Sequence, residues 1–489
     1  MPMTTPAVAA GSLDRFFKIT ERGSTIAREI RGGFVTFFAM AYIIVLNPLI
    51  IGTVRDDGGH GHVLGGGTDP HLAKVAAATS LVAGVMTILM GAIANFPMAI
   101  ATGLGLNAFV TFSIAALPGM TWADAMGLVV LEGIVMLVLV LSGFRVAAFK
   151  ALPPPMKTAI SVGIGLFITF VAFFDSGFIR AGAGTPVQLG VNGELNGWPL
   201  LVFCFGLILV IALYVRKLKG AILIAILVTT ALAVIVEAMG RQGALTDKNP
   251  TGWGLNVPKL PSDWIATPDF GLVGHISLFG SFSKISVITA LLLIFSLVLA
   301  DFFDTMGTMV AIGSKADLLD KEGTPEGAQT ILVVDSVAAA AGGLASVSSN
   351  TGYIESSAGV SEGARTGFAS IVTGVLFLLS TFLSPVVAVV PYEAATPALV
   401  LVGFLMMQQV GGIDWHDWDI AIPAFLTIVL MPFSYSITVG IGAGCIAFVV
   451  VKVARSRARQ VPPLMWLIAA LFAIYFAIAP VQDILDRIF

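Results

Sequence analysis

Two carboxylates stand in the middle of an apolar run that is long enough to cross a membrane. The run covers residues 291–313, and Asp301 and Asp304 lie three positions apart, so they share one face of a helix. Thr305 and Thr308 fall on the same face. A carboxylate in hydrocarbon costs at least about 2.5–3.5 kcal/mol, and such residues usually mark a substrate or ion pathway. We interpret this face as part of a lined cavity; polar contacts that only join helices are the alternative.

A second unusual stretch, residues 346–360, is short and rich in serine and glycine. Extended backbone at membrane depth is tolerated only where it is buried or lines a cavity. If Tyr353 begins a half-helix, Glu355 lies in its first turn, where the positive helix end favours a carboxylate. A helix acid without substrate contact is the alternative for Glu355.

A matching stretch, residues 97–117, also begins with a short non-helical piece and becomes helical after Gly103. This stretch directs a second helix N-terminus at the point where the half-helix around Glu355 begins. Asn107, one turn into the second helix, offers both a hydrogen-bond donor and an acceptor. An interhelical bridge is an equally good interpretation of Asn107. The candidate substrate-binding residues on the three stretches are Thr102, Gly103, Asn107, Asp301, Asp304, Thr305, Thr308, Thr351, Gly352 and Glu355.

The predicted cavity contains acids and free backbone groups but no lysine, arginine or histidine. Such a lining accepts N–H bonds and repels bare anions, so it suits a neutral, flat heterocycle with several N–H donors. One carboxylate, Glu355 or Asp301, could instead carry a coupling proton.

The composition predicts an all-α polytopic membrane protein embedded in a lipid bilayer. Of 489 residues 57% are hydrophobic and 11% are charged, against about 25% charged in soluble domains. The net charge of −3 gives no indication of a nucleic-acid partner, and we predict none. No metal or cofactor motif is present: Cys204 and Cys445 lie in apolar runs, and His60 and His62 fit a solvated glycine-rich loop.

Charge and hydropathy together predict fourteen transmembrane segments in a multi-pass protein of the plasma (inner) membrane. Basic residues precede the first run and recur in every second loop, Arg145 and Lys150 among them, which places the N-terminus in the cytoplasm. Seven segments on each side of a long Pro- and Gly-rich stretch indicate a 7+7 inverted repeat. The predicted units are a cytoplasmic amphipathic N-terminus 1–31, a first repeat 32–240, an extracytoplasmic loop 241–283, a second repeat 284–454, and a basic loop with an extra hydrophobic segment 455–489.

The third segment of each half breaks the apolar pattern. Paired interrupted segments at corresponding positions are typical of the binding site of a secondary transporter. A channel is a weaker alternative, and no nucleophile–base pair or phosphate-binding loop indicates an enzyme. The sequence leaves open whether residues 462–480 cross the membrane.

Three motifs resemble the AzgA-like branch of the second nucleobase–cation symporter family, whose members are permeases for adenine, guanine and hypoxanthine. They are GLGLNAF at residues 103–109, ADFFDTMGT at 300–308 and NTGYIESSAGV at 350–360. The resemblance extends from about Phe16 to Val453. The Gln-Asn-x-Gly pattern of the uracil and xanthine branches is absent from the tenth segment.

The resemblance implies a core domain of helices one to four and eight to eleven, and a gate domain of the remaining helices. Short strands in the third and tenth segments meet in the core, which moves as an elevator. The resemblance assigns nucleobase binding to Asp301 and Glu355, with Asn107 and Asp304 as further site residues. It also implies proton symport and a possible homodimer through the gate domains.

Two other transport functions remain as alternatives. One is transport of another nucleobase, uracil or xanthine. The other is an anion carrier on the same fold, against which Asp301 and Glu355 count because they repel anions. The sequence does not rank the purines, and it does not distinguish proton from sodium coupling.

Overall fold

The computed structural model describes residues 12–52, 54, 71–142, 153–182, 184–261, 263–320 and 324–488. The start of the predicted N-terminal segment, the loop with His60 and His62, and the loop with Arg145 and Lys150 lie outside these ranges. Within them the chain is mostly helical, with four short strands.

The first half contains nine helices among the described residues. They are α1 (Ser12–Phe17), α2 (Ile26–Met40), α3 (Ile43–Ile51), α4 (Leu72–Leu89), α5 (Leu104–Phe109), α6 (Trp122–Leu141), α7 (Pro154–Asp175), α8 (Trp198–Val215) and α9 (Ala221–Gly240). Strand β1 (Ile100–Thr102) precedes α5, and a small hairpin of β2 (Ile179–Arg180) and β3 (Gln188–Leu189) follows α7. Single π-helical turns, Met90–Ala94 and Val110–Ile114, extend α4 and α5.

The second half repeats the interruption of its helices by a strand. Its helices are α10 (Ser281–Lys284), α11 (Val287–Lys315), α12 (Ala328–Leu344), α13 (Ser356–Ser361), α14 (Gly367–Ser380), α15 (Ser384–Val387), α16 (Tyr392–Met407), α17 (Trp418–Phe433), α18 (Ile437–Ala454) and α19 (Pro463–Ile488). Strand β4 (Asn350–Gly352) lies between α12 and α13.

Ten helical stretches of the described residues are long and apolar enough to cross a membrane. Four shorter apolar helices accompany them: Leu104–Ile114, Ala328–Leu344, Trp418–Phe433 and Pro463–Ala477. Large apolar side chains such as Ile208, Val215 and Ile235 are exposed on the outer helices, as a hydrocarbon environment requires. The protein is therefore an integral membrane protein, while the fourteen-segment count and the inverted repeat stay predictions.

The long helices pack into two groups. The first joins α2, α4, α6, α11, α12, α13 and α14, and the second joins α7, α8, α9, α16, α17 and α18. The groups meet where α3 packs on α16 and where α11 approaches α7 and α18. Helix α19 packs on both α18 and α11.

The close approach of α4 and α14 within the first group depends on glycine. Gly84 faces Gly374 and Gly91 faces Gly367, and the two glycines of each helix, with the π-turn that extends α4 included, are seven positions apart. A Cβ atom at Gly367 would lie 2.1 Å from the carbonyl oxygen of Gly91. Small residues therefore bring these two backbones together, as is common between helices in membranes.

The predicted unit boundaries coincide with helix ends in two places. Gly240 ends α9 and Ala454 ends α18. The boundary at residue 31 falls inside α2, because the Thr25 side chain accepts a hydrogen bond from the Arg28 backbone N–H and starts the helix at Ile26. The basic residues of this segment thus continue directly into the first membrane-crossing stretch.

Candidate functional site

The two interrupted segments meet as a pair of antiparallel strands. Ile100 pairs with Gly352, Ala101 with Thr351 and Thr102 with Asn350, and both strands are fully enclosed. Backbone bonds continue the ladder at each end, from Gly103 N to Ser349 O at 3.0 Å and from Tyr353 N to Ala99 O at 2.9 Å. The strand pair satisfies its own backbone groups, which extended chain at membrane depth requires.

A half-helix leaves each strand, so two helix N-termini start at the strand pair. Helix α5 follows Gly103, and α13 follows Glu355. The Glu355 carboxylate accepts a hydrogen bond from the Tyr42 hydroxyl, at the short break between α2 and α3. A second tyrosine, Tyr353, donates to the Thr102 carbonyl at 2.6 Å and ties the two segments together.

The helix predicted to start at Tyr353 starts three residues later, at Ser356. The reason is that the Tyr353 N–H still bonds to Ala99 across the strand pair. Glu355 is consequently the residue before the helix and is half-buried, instead of lying in the first turn.

Asn107 makes an interhelical bridge. Its side-chain N–H group donates to the Asn47 side-chain oxygen at 2.7 Å, and Asn47 in turn donates to Thr79 on α4 at 2.8 Å. The side-chain oxygen of Asn107 is buried without a hydrogen-bond partner among the described residues. Both interpretations of Asn107 are therefore still supported. Its side-chain N–H group joins two helices, and its side-chain oxygen has no described partner and can accept a hydrogen bond.

Asp301 lies in the protein interior behind the strand pair. It is 0% exposed, and the Ser349 hydroxyl lies 3.2 Å from its Oδ2 atom. The same hydroxyl lies 3.3 Å from Oε1 of Glu132, a fully buried residue of α6. Asp301 is thus connected to the Glu132 carboxyl group both directly and through the Ser349 hydroxyl.

Thr305 links α11 to the strand pair and to α12. Its hydroxyl donates to Asp335 Oδ1 at 2.9 Å and lies 2.7 Å from the Thr351 hydroxyl. The Gly352 N–H also donates to Thr305, at 3.4 Å. Three of the predicted residues, Thr305, Thr351 and Gly352, are therefore brought together, while Thr308 is buried one turn further along α11.

The face predicted to hold both α11 carboxylates is divided. Asp301 and Thr305 are enclosed, whereas Asp304 is exposed. Residues three apart on a helix point about 60° away from each other, and here the boundary between interior and opening passes between them. Asp304 and Glu355 are near enough for their charges to interact.

Exposed residues continue from Asp304 along one face of α11. They are Gly307, Ala311 and Ser314, at spacings of three and four. All are small or polar, whereas the exposed faces of the outer helices carry large apolar side chains. This exposed stripe runs from Asp304 to the Lys315 end of α11.

The remaining predicted residues, Thr102 and Gly103, form the tight centre of the strand pair. Thr102 is fully buried, and its hydroxyl has no hydrogen-bond partner among the described residues. A Cβ atom at Gly103 would lie 2.8 Å from a methyl group of Thr351. The Thr102 side chain is enclosed, and Gly103 has no side chain, so neither residue offers an exposed side-chain group.

Five residues for which the sequence predicted no role contact the predicted substrate-binding residues. They are Tyr42, Asn47, Glu132, Asp335 and Ser349. Glu132, Asp335 and Asn47 each interrupt an apolar run, which is a usable signal; nothing local distinguishes Tyr42 or Ser349.

The described partners of the site carboxylates are hydroxyl groups. No ion pair joins Asp301, Asp335 or Glu355 to a lysine, arginine or histidine of the described residues. The described ranges also hold no His/Cys/Asp/Glu group that could bind a metal ion. The site thus offers anionic acceptors and helix N-termini to a ligand that donates N–H bonds.

Comparisons with known proteins agree with this chemistry. A model described as Permease family matches residues 27–443. The guanine/hypoxanthine permease PbuG of Bacillus subtilis (strain 168) is 36% identical over 463 residues, 94% of this chain and 98% of that protein. The adenine permease AdeP of Escherichia coli (strain K12) is 35% identical over 470 residues, 96% and 97% of the two chains. The nucleobase transporter PlAzg2 of Paenibacillus larvae is 31% identical, covering 86% and 76%.

Solved structures share the fold at low identity. The transmembrane domain of the cyanobacterial bicarbonate transporter BicA superposes with a TM-score of 0.56 at 15% identity, over 85% of this chain and 96% of that one. The murine anion transporter Slc26a9 in its inward-facing state gives a TM-score of 0.58 at 13% identity, over 92% and 74%. Both likenesses concern the fold alone.

Proposed function

Since the chain belongs to the permease family, in its AzgA-like branch of purine permeases, we propose that it imports adenine, guanine or hypoxanthine by proton symport. It is a transporter of nucleobases and not an enzyme. The proposal places it in the plasma membrane with a cytoplasmic N-terminus, because basic residues precede the first span.

The observation that supports the proposal best is the pairing of Asp304 and Glu355 at the strand pair. In this proposal both acids border the substrate site, and no cation of the described residues pairs with Glu355. A purine offers ring and amino N–H groups in one plane, which two carboxylates and nearby helix N-termini can accept and orient. Asp301 is enclosed in this conformation, so in this proposal it acts on the bound purine from behind the strand pair.

The two helix groups suit an alternating-access mechanism. We assign the first group as the core domain and the second as the gate domain, with a homodimer through the gate. We further propose that the exposed stripe on α11 borders a water-filled path to the membrane face at its Lys315 end. Phe112, in the turn that extends α5, packs on Tyr435 between α17 and α18 with ring centres 5.6 Å apart, and Phe167 packs on Tyr435 at 5.3 Å; in this proposal these contacts close the other face. This arrangement supports an inward-open state of an elevator.

An anion carrier is not favoured, although the solved structures of this fold include anion transporters. An anion would face Asp304 and Glu355 without a compensating cation, and like charges repel strongly where water is excluded. Uracil or xanthine transport remains an outcome of the test below.

The decisive experiment is uptake of radiolabelled hypoxanthine in cells that lack their own purine permeases. Adenine, guanine, uracil and sulfate serve as unlabelled competitors, and a protonophore tests the coupling. We expect competition by purines only, collapse by the protonophore, and loss of about tenfold or more in Glu355→Gln, since a bond to a charged group contributes about 1.5–3 kcal/mol.

Glu393→Gln is the matched control for this experiment. Glu393 is also a buried glutamate, but it lies on α16 in the gate and accepts the Gly254 N–H at 2.9 Å. A glutamine oxygen can replace that acceptor, so uptake should be retained. Transport of uracil or sulfate in place of purines would overturn the substrate assignment.

A further inference from the structure

Glu132 has no role in the function proposed so far, yet it is among the most enclosed acids of the protein. It is 0% exposed in the middle of α6, in the core domain. Its Oε2 atom has no hydrogen-bond partner among the described residues, and the same holds for Oδ1 of Asp301. The two enclosed carboxyl groups both contact Ser349, and they are also within hydrogen-bond reach of each other.

The hydroxyl of Ser349 can donate only one proton. It lies 3.3 Å from Glu132 Oε1 and 3.2 Å from Asp301 Oδ2. If both acids were ionised, one of them would face a lone pair of the serine oxygen and would also repel the other acid. If one acid carries a proton, it donates to Ser349 and Ser349 donates to the other, so both contacts become hydrogen bonds.

We propose that Glu132 and Asp301 share one proton through Ser349, and that Glu132 is thereby a positioning residue for proton-coupled purine transport. The proposal rests on the function proposed above. In the transfer, the Glu132 carboxyl gives its proton to Ser349 Oγ while the serine proton passes to Asp301 Oδ2. One proton moves toward Asp301 and one negative charge appears on Glu132, so atoms and charge balance.

The surroundings supply no competing cation. The titratable groups that interact with the pair from its own and neighbouring elements are Asp304 on α11 and Asp335 on α12. Glu355, Tyr353 and Tyr42 lie beyond Asp304 and interact with one another. Lysines on the adjoining helices are engaged elsewhere: Lys284 pairs with Asp124 and Lys452 with Asp419. A proton is thus the positive charge available to the pair among the described groups.

All three members belong to the core domain, since α6, α11 and the segment before β4 pack together. A proton held there travels with the core when the core moves against the gate. When Glu132 bears the proton, Asp301 is the ionised member behind the strand pair. Glu132 therefore sets the charge of Asp301 without touching the substrate.

The test uses the full chain in proteoliposomes and two assays. The first measures accumulation of radiolabelled hypoxanthine driven by a proton gradient, and the second measures hypoxanthine counterflow without a gradient. We expect Glu132→Gln and Ser349→Ala to lose accumulation by about tenfold or more, while counterflow stays within about twofold of wild type. Glu393→Gln should retain both activities.

Two further readouts distinguish proton sharing from a structural role. The pH dependence of hypoxanthine uptake should flatten in Glu132→Gln, and the infrared carbonyl band of a protonated carboxyl should disappear. Ser349→Ala removes a single oxygen atom, so it keeps the proposal testable if the Glu132 variant does not fold. Wild-type accumulation and an unchanged pH profile in either variant would overturn the proposal.

The outcomes separate this proposal from the proposed function. A wild-type protein that does not transport purines refutes the function before any variant is compared. Proton-driven purine accumulation by the wild type that either variant retains, with an unchanged pH profile, refutes only the shared proton.

Discussion

The carboxylates of this protein fall into two kinds according to their partners. Asp419 is fully buried, but it contacts Lys452, Arg455 and Arg457 at 2.7–2.9 Å, so cations balance its charge. Asp301 and Glu355 have hydroxyl partners instead. A hydroxyl orients a carboxylate without neutralising it, which leaves the charge available for a substrate N–H or for a proton.

Gly307 is the residue at which the proposed water-filled path along α11 can be tested. A Cβ atom there meets no other atom within 4 Å, so Gly307→Leu should fold normally. The new side chain would stand one turn from Asp304 in the path, and we expect hypoxanthine uptake to fall by about tenfold or more, the effect of about 1.4 kcal/mol.

The measurement for Gly307→Leu is uptake together with thermal unfolding, with Gly411→Ala as a control in similarly open space. If this face of α11 contacted lipid, leucine would be harmless there. Normal uptake by the leucine variant would therefore contradict the path.

At the scale of elements, the two three-residue strands are too short to hold themselves in place. Thr87 on α4 compensates, because its hydroxyl donates to the Ile100 carbonyl at 3.0 Å and accepts the Ile100 N–H at 2.9 Å. Ser356 similarly accepts the Ala99 N–H at 2.9 Å. The position of the site therefore depends on side chains from neighbouring helices.

Thr87→Val should loosen the strand pair while preserving the shape of the side chain. The substitution leaves the Ile100 backbone groups buried without these partners, at a cost of about 1–3 kcal/mol. We expect a lower unfolding temperature and weaker hypoxanthine binding, measured on the same preparation.

Thr230→Val is the control for this experiment, since the buried Thr230 hydroxyl bonds only to Ile226 of its own helix at 2.7 Å. An equal loss of stability in both variants would mean that Thr87 has no special role at β1.

At the scale of the whole molecule, an ionic contact joins the two helix groups. Glu362 follows α13 in the first group and contacts both Arg31 of α2 and Lys219 from the loop between α8 and α9 in the second. The two groups cannot slide past each other without separating Lys219 from Glu362. This contact therefore favours the conformation described here.

Lys219→Gln should shift the equilibrium away from that conformation. Partly exposed ion pairs contribute about 0–1 kcal/mol, so the expected change is about two- to fivefold. The measurement is the labelling rate of a cysteine placed at Ser314 by a hydrophilic thiol reagent, with Cys204 and Cys445 replaced by serine.

If the proposed inward-open state is the one described, labelling should slow in Lys219→Gln because fewer molecules then expose Ser314 to the reagent. Lys248→Gln, in the exposed connecting loop, provides the control. A rate equal to that of the control would exclude Lys219 as a determinant of the conformation.

The sequence by itself determined the class of the protein and the segments that form its site. Hydropathy and charge spacing are local properties, so they identified the apolar helices, the interrupted stretches around residues 100 and 350, and the acids of α11. The three family motifs are likewise short contiguous stretches, so they were visible in the sequence.

Only the tertiary structure decided where the half-helices begin and which of the acids are enclosed or exposed. Strand pairing placed the start of α13 after Glu355, because a backbone bond from Tyr353 to a distant segment outweighed local helix preference. Packing of α11 on α6 and β4 enclosed Asp301 with Glu132 and left Asp304 at the opening. These outcomes depend on contacts between residues far apart in the chain, and helix periodicity does not encode which neighbour each face will meet.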